Sequence, residues 1–226
     1  MREDLFVWDK GWDTLFDNQR WGRYPPVELV RVVSRNFSTN TDKSAIRILE
    51  IGCGPGANIW YLAREGFFAV GLDGSKVALE QARQYLEAES LSAELLEGDA
   101  MSLPFADGVF DAVIDIECIY ANTLKDAGVI INEAHRVLKS GGFLFSITFT
   151  GDTSGYGTAV PDEPNTFTDY KNGPLHQGYG VVRLTAESEI NIIYGVFDVI
   201  EYDSITRTDG NRKQQISEWL ITGRKA

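Results

Sequence analysis

The sequence predicts an α/β fold in which a mostly parallel, doubly wound sheet carries helices on both faces. Three observations lead there. A short apolar run at residues 46–51 is followed by Gly52, Gly54 and Gly56 and then by a helical pattern. From that turn to residue 149, short β-rich runs alternate with helical periods, as strands joined by right-handed crossovers do. Near the carboxyl end, residues 197–206 and 214–221 flank Asp209-Gly210 and read as an antiparallel hairpin.

Residues 1–45 read as a helical amino-terminal cap. Leu5, Trp8, Trp12, Leu15 and Phe16 recur at three- and four-residue steps, which puts them on one helical face. Gly11 weakens that helix. The run from Trp21 to Pro26 breaks the chain, and a second helix follows at 27–37 with Leu29, Val30 and Val33 inward. After a polar linker, Ile46, Ile48, Leu49 and Ile51 are β-branched or leucine and nearly uninterrupted, as in a strand buried on both faces. The helix at 57–63 turns Ile59, Leu62 and Ala63 inward and stops at Gly66. A second strand at 68–72 ends on Asp73, and Ser75 caps a helix carrying Ala78, Ala82, Tyr85 and Leu86. A third strand at 93–97 ends on Gly98-Asp99-Ala100. The turn-rich loop 103–108 delivers a fourth at 110–116, which ends on Asp115-Ile116-Glu117-Cys118. The helix at 124–138 is expected to bury Val129, Ile130, Ala134, Val137 and Leu138. Lys139-Ser140-Gly141-Gly142 ends it ahead of the fifth strand, 143–149. Residues 151–180 are rich in Gly, Pro, Asp, Asn and Thr and lack periodicity, which predicts a loop insertion or lid. Thr185 is expected to cap a short helix reaching residue 194.

A length of 226 residues suits a single domain spanning 1–226. The net charge of −12 argues against a nucleic-acid or anionic-membrane partner, because phosphate binding leans on Lys and Arg. There is no bilayer-length apolar run and no signal-peptide pattern, so a cytoplasmic protein is expected. Cys53 and Cys118 are the only cysteines and read as reduced, buried residues. No His/Cys/carboxylate cluster has ligand spacing, and no metal is expected.

Strand, glycine-rich turn and helix together form the nucleotide-site pattern of doubly wound folds. Glycine lets bare backbone approach a ligand beside the positive end of the helix. Gly52-Cys53-Gly54-Pro55-Gly56-Ala57 fits the dinucleotide fingerprint, with Asp73 at about the distance needed to hold a ribose. Glu50 inside the strand end and the third glycine after Pro55 add detail, and LEIGCGPGAN resembles the first motif of class I S-adenosylmethionine (SAM)-dependent methyltransferases. Asp73, Gly98-Asp99, LPFADGVFDAV, HRVLKSGGFL and the terminal hairpin extend the resemblance over almost all of the chain from Ile46 on. It implies a seven-stranded sheet ordered 3-2-1-4-5-7-6 with its last strand antiparallel. It also implies transfer of a methyl group from SAM to an O or N nucleophile of a small molecule, leaving S-adenosylhomocysteine (SAH). An NAD-dependent oxidoreductase and a non-catalytic SAM-binding domain remain as alternatives.

By the same resemblance, Gly52, Cys53, Gly54 and Gly56 line the methionine and ribose of the cofactor. Asp73, followed by Gly74 and Ser75, accepts the ribose hydroxyls, a task for an acceptor-only carboxylate. Asp99 takes the adenine amino group while the Ala100 backbone reads a ring nitrogen. Glu50 and Asp115 either orient the site or hold loop amides, and Glu117 with Cys118 faces the sulfonium and the acceptor. Arg23 and Tyr24 are candidates for the methionine carboxylate. Tyr120, Tyr156 and His176 are candidates for the acceptor pocket, with His176 as the candidate base and His135 assigned to a helix surface. An in-line displacement asks mainly for alignment and exclusion of water, so no strong catalytic constellation is expected. The stretch DIECIYAN after the fourth strand lacks the Asn/Asp-Pro-Pro-Tyr/Phe motif of enzymes acting on planar nitrogens, and a Pro-Cys nucleophile loop is also absent. That leaves a small metabolite, natural product or sugar as acceptor. The amino-terminal aromatic segment and residues 151–180 are expected to close the pocket.

Overall fold

The computed structural model describes residues 11–18, 22–175 and 180–226. The strands are β1 (Arg47–Ile51), β2 (Phe68–Asp73), β3 (Glu94–Glu97), β4 (Phe110–Ile116), β5 (Leu138–Phe149), β6 (Tyr156–Ala159), β7 (Thr166–Lys171), β8 (Val182–Arg183), β9 (Val199–Asp209) and β10 (Gln214–Arg224). Seven of them form one sheet in the order β3-β2-β1-β4-β5-β10-β9. Strands β1 to β5 run parallel, and β10 is antiparallel to both β5 and β9. This is the order that the resemblance implied.

The sheet is central because β1 is buried on both faces. Ile48 packs with Leu29 and Val33 of α2 (Val27–Phe37), Ile59 and Leu62 of α3 (Ala57–Arg64), and Leu79 and Leu86 of α4 (Lys76–Ala88). Leu49 and Ile51 point the other way, toward Ile130 and Ile131 of α5 (Leu124–Val137) and Ile190 and Ile193 of α6 (Glu187–Tyr194). Each such side chain removed from water contributes about 1.5–3 kcal/mol before chain entropy is charged against it. The alternation of side chains along β1 thus fixes which helices cover which face.

Several elements differ from the sequence reading. The first helix, α1, spans Gly11–Asn18; Leu5, Trp8 and Trp21 lie outside the described residues. Val129 is 38% exposed, because the buried stripe of α5 is Ala127, Ile130, Ile131, Ala134 and Val137, and Val129 sits off that face. Leu138 already pairs with Phe110, so β5 begins before the glycines and crosses them through a register shift. Ala186, not Thr185, is the N-cap of α6: the Glu189 side chain accepts from its amide at 2.9 Å, while the Thr185 amide donates to the Phe149 carbonyl at 2.8 Å.

The largest departure lies in residues 151–180, expected as an aperiodic loop. They supply β6 and β7, which join β8 in a second antiparallel sheet, β6-β7-β8. Tyr170, Leu175, Val182 and Leu184 pack there with Tyr120, Phe149 and Ile216 as a separate small core. Asp162, Asn165, Asp169 and Asn172 all have positive φ, and each such turn resets the two-residue alternation that marks a strand.

Candidate functional site

A cavity of about 590 Å3 opens where the parallel strands end, at the carboxyl ends of β1, β2 and β4 and the loop after β3. Open α/β sheets bind ligands at this edge.

The glycine turn forms its floor. Gly52 (φ +66°) and Gly54 line the cavity. A Cβ on Gly52 would lie 2.4 Å from the Cys118 sulfur, so the turn and the loop after β4 interlock through that missing side chain. Gly56 does not line the cavity. It starts α3 at φ +83°, and a Cβ there would meet the Ala82 methyl at 2.7 Å, so its bareness serves the packing of α3 on α4. Cys53 is buried in the cavity wall, with its thiol pushed well above the usual range by burial.

Asp73 joins two turns. Its Oδ2 accepts from the Gly54 amide and its Oδ1 from the Ser75 amide, each at 2.7 Å. Burial raises the carboxyl above its ordinary value, and these two amides pull it back. Gly74 lines the cavity, but Ser75 does not; its hydroxyl accepts from the Ala78 amide at the start of α4 and donates to Asp13 of α1 at 2.5 Å. Asp99 and Ala100 line the cavity beyond β3, with Asp99 Oδ1 accepting from the Met101 amide at 2.8 Å.

Glu50 is 1% exposed at the end of β1. Its Oε1 accepts from Asn58 Nδ2 at 2.6 Å, while its Oε2 and the Asn58 Oδ1 are buried without a hydrogen-bond partner. Both residues line the cavity, and burial drives the Glu50 carboxyl well above its usual range. Two buried acceptors in one wall leave room for a donor, and a cationic one would also restore the charge on Glu50.

Beyond β4 the chain is held in an uncommon shape. Asp115 is fully buried and accepts from the Cys118 and Ile119 amides at 3.0 and 3.1 Å and from the Ser146 hydroxyl, which in turn meets the Tyr194 hydroxyl at 2.8 Å. Burial pushes its carboxyl up to about 6. Glu117 follows in the left-handed region at φ +58°, its amide bonded to the Ile147 carbonyl at 3.0 Å. Its carboxyl lines the cavity and meets that of Glu218 on β10, and burial together with this neighbour raises it to about 8. Arg207 of β9 holds Glu218 at 2.8 Å.

The structure separates the remaining candidates. Tyr120 lines the cavity, buried, with its ring edge-on to Phe149 at 4.9 Å. Tyr24 lines the mouth, 75% exposed. Arg23 does not reach the cavity; its guanidinium lies 4.3 Å over the Tyr85 ring, because that aromatic face offers the cation a nearer partner. Tyr156 sits exposed on β6, outside the cavity, where the strand pairing of the small sheet carries it; Asn172 donates to its hydroxyl at 3.0 Å. His176 lies outside the described residues. Trp12 and Phe16 of α1 cover the cavity, and the helix is tied to α4 by the Asp13–Ser75 bond and by Gln81 donating to the Phe16 carbonyl at 2.9 Å. Sequence reasoning missed Asn58 and the Glu218–Arg207 pair. A polar residue on the buried side of α3 was the signal for Asn58; for the pair there was none, since its meeting with Glu117 depends on strand order.

Five carboxylates line the cavity, from Glu50, Asp73, Asp99, Glu117 and Asp126, and no Lys, Arg or His does so among the described residues. No group of described residues is arranged to hold a metal ion, and no described helix is long and apolar enough to cross a membrane.

Residues 48–142 match the family model of a methyltransferase domain. A sterol 24-C-methyltransferase of Gibberella zeae is 38% identical over 104 residues, 44% of this chain and 26% of that protein. A fatty-acid O-methyltransferase of Mycolicibacterium smegmatis is 36% identical over 144 residues, covering 58% of this chain and 51% of that protein. The chain thus spans about a quarter to a half of the length of these relatives. The crystal structure of a SAM-dependent methyltransferase from Methanosarcina mazei superposes with a TM-score of 0.66 at 21% identity, over 79% of this chain and 92% of that one, and shares the fold.

Proposed function

We infer that this chain, whose residues 48–142 match the family model of a methyltransferase domain, is a class I SAM-dependent enzyme that transfers a methyl group from SAM to an O or N nucleophile of a small molecule. The observation that carries the reading is the acid-only cavity wall at the glycine turn. SAM brings a sulfonium and an ammonium against one carboxylate, and a wall of carboxylates suits that net positive charge. The pyrophosphate of a nicotinamide dinucleotide would meet the same wall with like charge, which disfavours the oxidoreductase alternative.

The orphaned Glu50 Oε2 and Asn58 Oδ1 fit the ammonium of the methionine end. Gly52, Cys53 and Gly54 lie against the methionine and ribose, Asp73 accepts from the ribose hydroxyls while its amide bonds hold the turn, and Asp99 and Ala100 face the adenine. Bound SAM supplies a methyl group on sulfur whose departure leaves a neutral thioether. The chain's own task is alignment in a dry site. Trp12 and Phe16 shield the cavity from above, the edge at Gly180 and Val181 closes its side, and Tyr120 flanks the acceptor end. The net charge of −12 supports a small-molecule acceptor over a nucleic-acid or anionic-membrane partner.

Calorimetric titration with SAM, SAH and NAD tests the ligand, with binding of the first two and none of the third expected. Binding of NAD without SAM would return the chain to the oxidoreductases. Turnover of SAM to SAH with a panel of phenols, alcohols and amines separates an enzyme from a SAM-binding domain.

A further inference from the structure

The Glu117–Glu218–Arg207 cluster is not needed to hold SAM, and the fold has gone to some expense to build it. A non-glycine residue at positive φ costs on the order of 1 kcal/mol or more, and it persists only where its surroundings fix it. Glu117 is such a residue, fixed by its amide bond to Ile147 and by the two amides after it bonded to Asp115. A glycine would hold this backbone without strain, so the conformation is kept for the side chain it presents. That side chain stands in the cavity wall beside Cys118 and Tyr120, at the end of β4. Behind it lies Glu218, which is 6% exposed and anchored to the half-exposed Arg207 at 2.8 Å.

We propose, building on the methyl-transfer reading above, that Glu117 is the catalytic proton acceptor for an uncharged or amine nucleophile, with Glu218 as its relay toward Arg207 and solvent.

Two carboxyls side by side resist being charged together, so Glu117 holds its proton more tightly than a lone carboxyl and is the stronger base once ionised. As the nucleophile X–H attacks, the X–C bond forms and the C–S bond breaks, its electron pair staying on sulfur. The proton of X passes to the ionised Glu117 carboxylate, and Glu218 offers it a path onward to solvent. The pair goes from two negative charges to one as the sulfonium goes from one positive charge to none. The acidic wall sets the acceptor's class by the same logic. With five carboxylates and no basic residue among the described lining, a carboxylate or phosphate acceptor would be repelled, whereas a phenol, alcohol or amine would not.

The groups facing Glu117 are Glu218 from β10, Arg207 from β9, Asp115 from β4, and Cys118 and Tyr120 from the following loop. Burial, then Glu218, keeps Glu117 protonated to about pH 8, so the acid limb of the rate should fall near that pH.

The test is a carboxyl 13C NMR titration of the whole chain with labelled glutamate, free and with SAH bound, for wild type, Glu117→Gln and Glu218→Gln. One resonance titrating near pH 8 should vanish in Glu117→Gln and move to lower pH in Glu218→Gln, which has lost its like-charged neighbour. In the acceptor panel, Glu117→Gln should lose about 100-fold or more in kcat with little change in KM for SAM, the usual worth of a general base. Glu218→Gln should shift the acid limb of the pH–rate profile downward. Glu117 titrating in the ordinary carboxylate range, a midpoint unmoved in Glu218→Gln, or kcat retained in Glu117→Gln would each overturn the proposal. Failure of SAH to bind would instead sink the methyltransferase reading, and the titration of the free protein would still report on the pair.

Discussion

Buried carboxylates are the residues on which this site turns, and Asp115 shows how one can serve structure while costing stability. It holds the amides of Cys118 and Ile119 and so fixes the loop after β4, but its carboxyl lies wholly out of water. Its value of about 6 in the folded chain stands above the ordinary 3.8. Between those two pH values the folded state therefore binds more protons than the unfolded one. The stability present below about pH 4 is lost as pH rises through about 6. Asp115→Asn keeps a carbonyl acceptor for the two amides and removes the titration. Denaturant unfolding of wild type at pH 4 and pH 7 should differ by an extra ~2–3 kcal/mol that the Asn variant lacks. Equal pH dependence in the two proteins would show that Asp115 is ionised throughout. Glu50 and Glu117 are raised by burial in the same direction, so some slope should survive in the variant.

At the scale of elements, the sequence was legible where one pattern ran uninterrupted. Strands β1 and β4 are apolar runs with clear ends, and α2 and α4 keep their period from cap to cap, so Ser75 could be read as the α4 cap and Asp73 as a strand-end carboxylate. The same reading could not show that Asp73 is also the tie between the Gly54 and Ser75 amides, because those bonds join turns that periodicity does not relate. It failed on β6, β7 and β8, where left-handed residues break the alternation and the pairing partner Val182–Arg183 lies beyond the segment. That small sheet leans on one ring. Tyr170 packs over Gly155 and Gly157, where an added Cβ would lie 2.3 and 3.1 Å from it. Tyr170→Ala should therefore cost about 3 kcal/mol by analogy with other buried aromatic truncations. The loss should be local, with hydrogen exchange accelerating at Thr166–Lys171 while β1, β2 and β4 keep their protection. If exchange rises equally in the seven-stranded sheet, the two sheets form one cooperative unit. The opposite effect is expected of α1: Trp12 and Phe16 lie over the cavity, so SAH should slow exchange in Gly11–Asn18. No gain there would leave α1 as fixed packing.

For the molecule as a whole, the net charge of −12 and the acid-lined cavity act on a ligand together. The exposed charges set a negative field that reaches about 10 Å at 0.1 M salt, and the low-dielectric walls of the cleft concentrate it at the glycine turn. SAM and SAH differ by the methyl group and its sulfonium charge, and share the contacts proposed for Glu50, Asp73 and Asp99. Comparing the two ligands therefore isolates the field from the contacts. Raising salt from about 20 mM to about 300 mM shortens the screening length from roughly 20 Å to below 6 Å. SAM should then lose affinity by about 3- to 10-fold more than SAH, with most of the change in its association rate, because steering acts on encounter rather than on the docked complex. Stopped-flow and calorimetric titrations of the two ligands across that range measure the difference. Parallel salt dependences would mean that the acidity is screened at the surface and does not reach the cavity, and the charge argument against anionic acceptors would then fall with it.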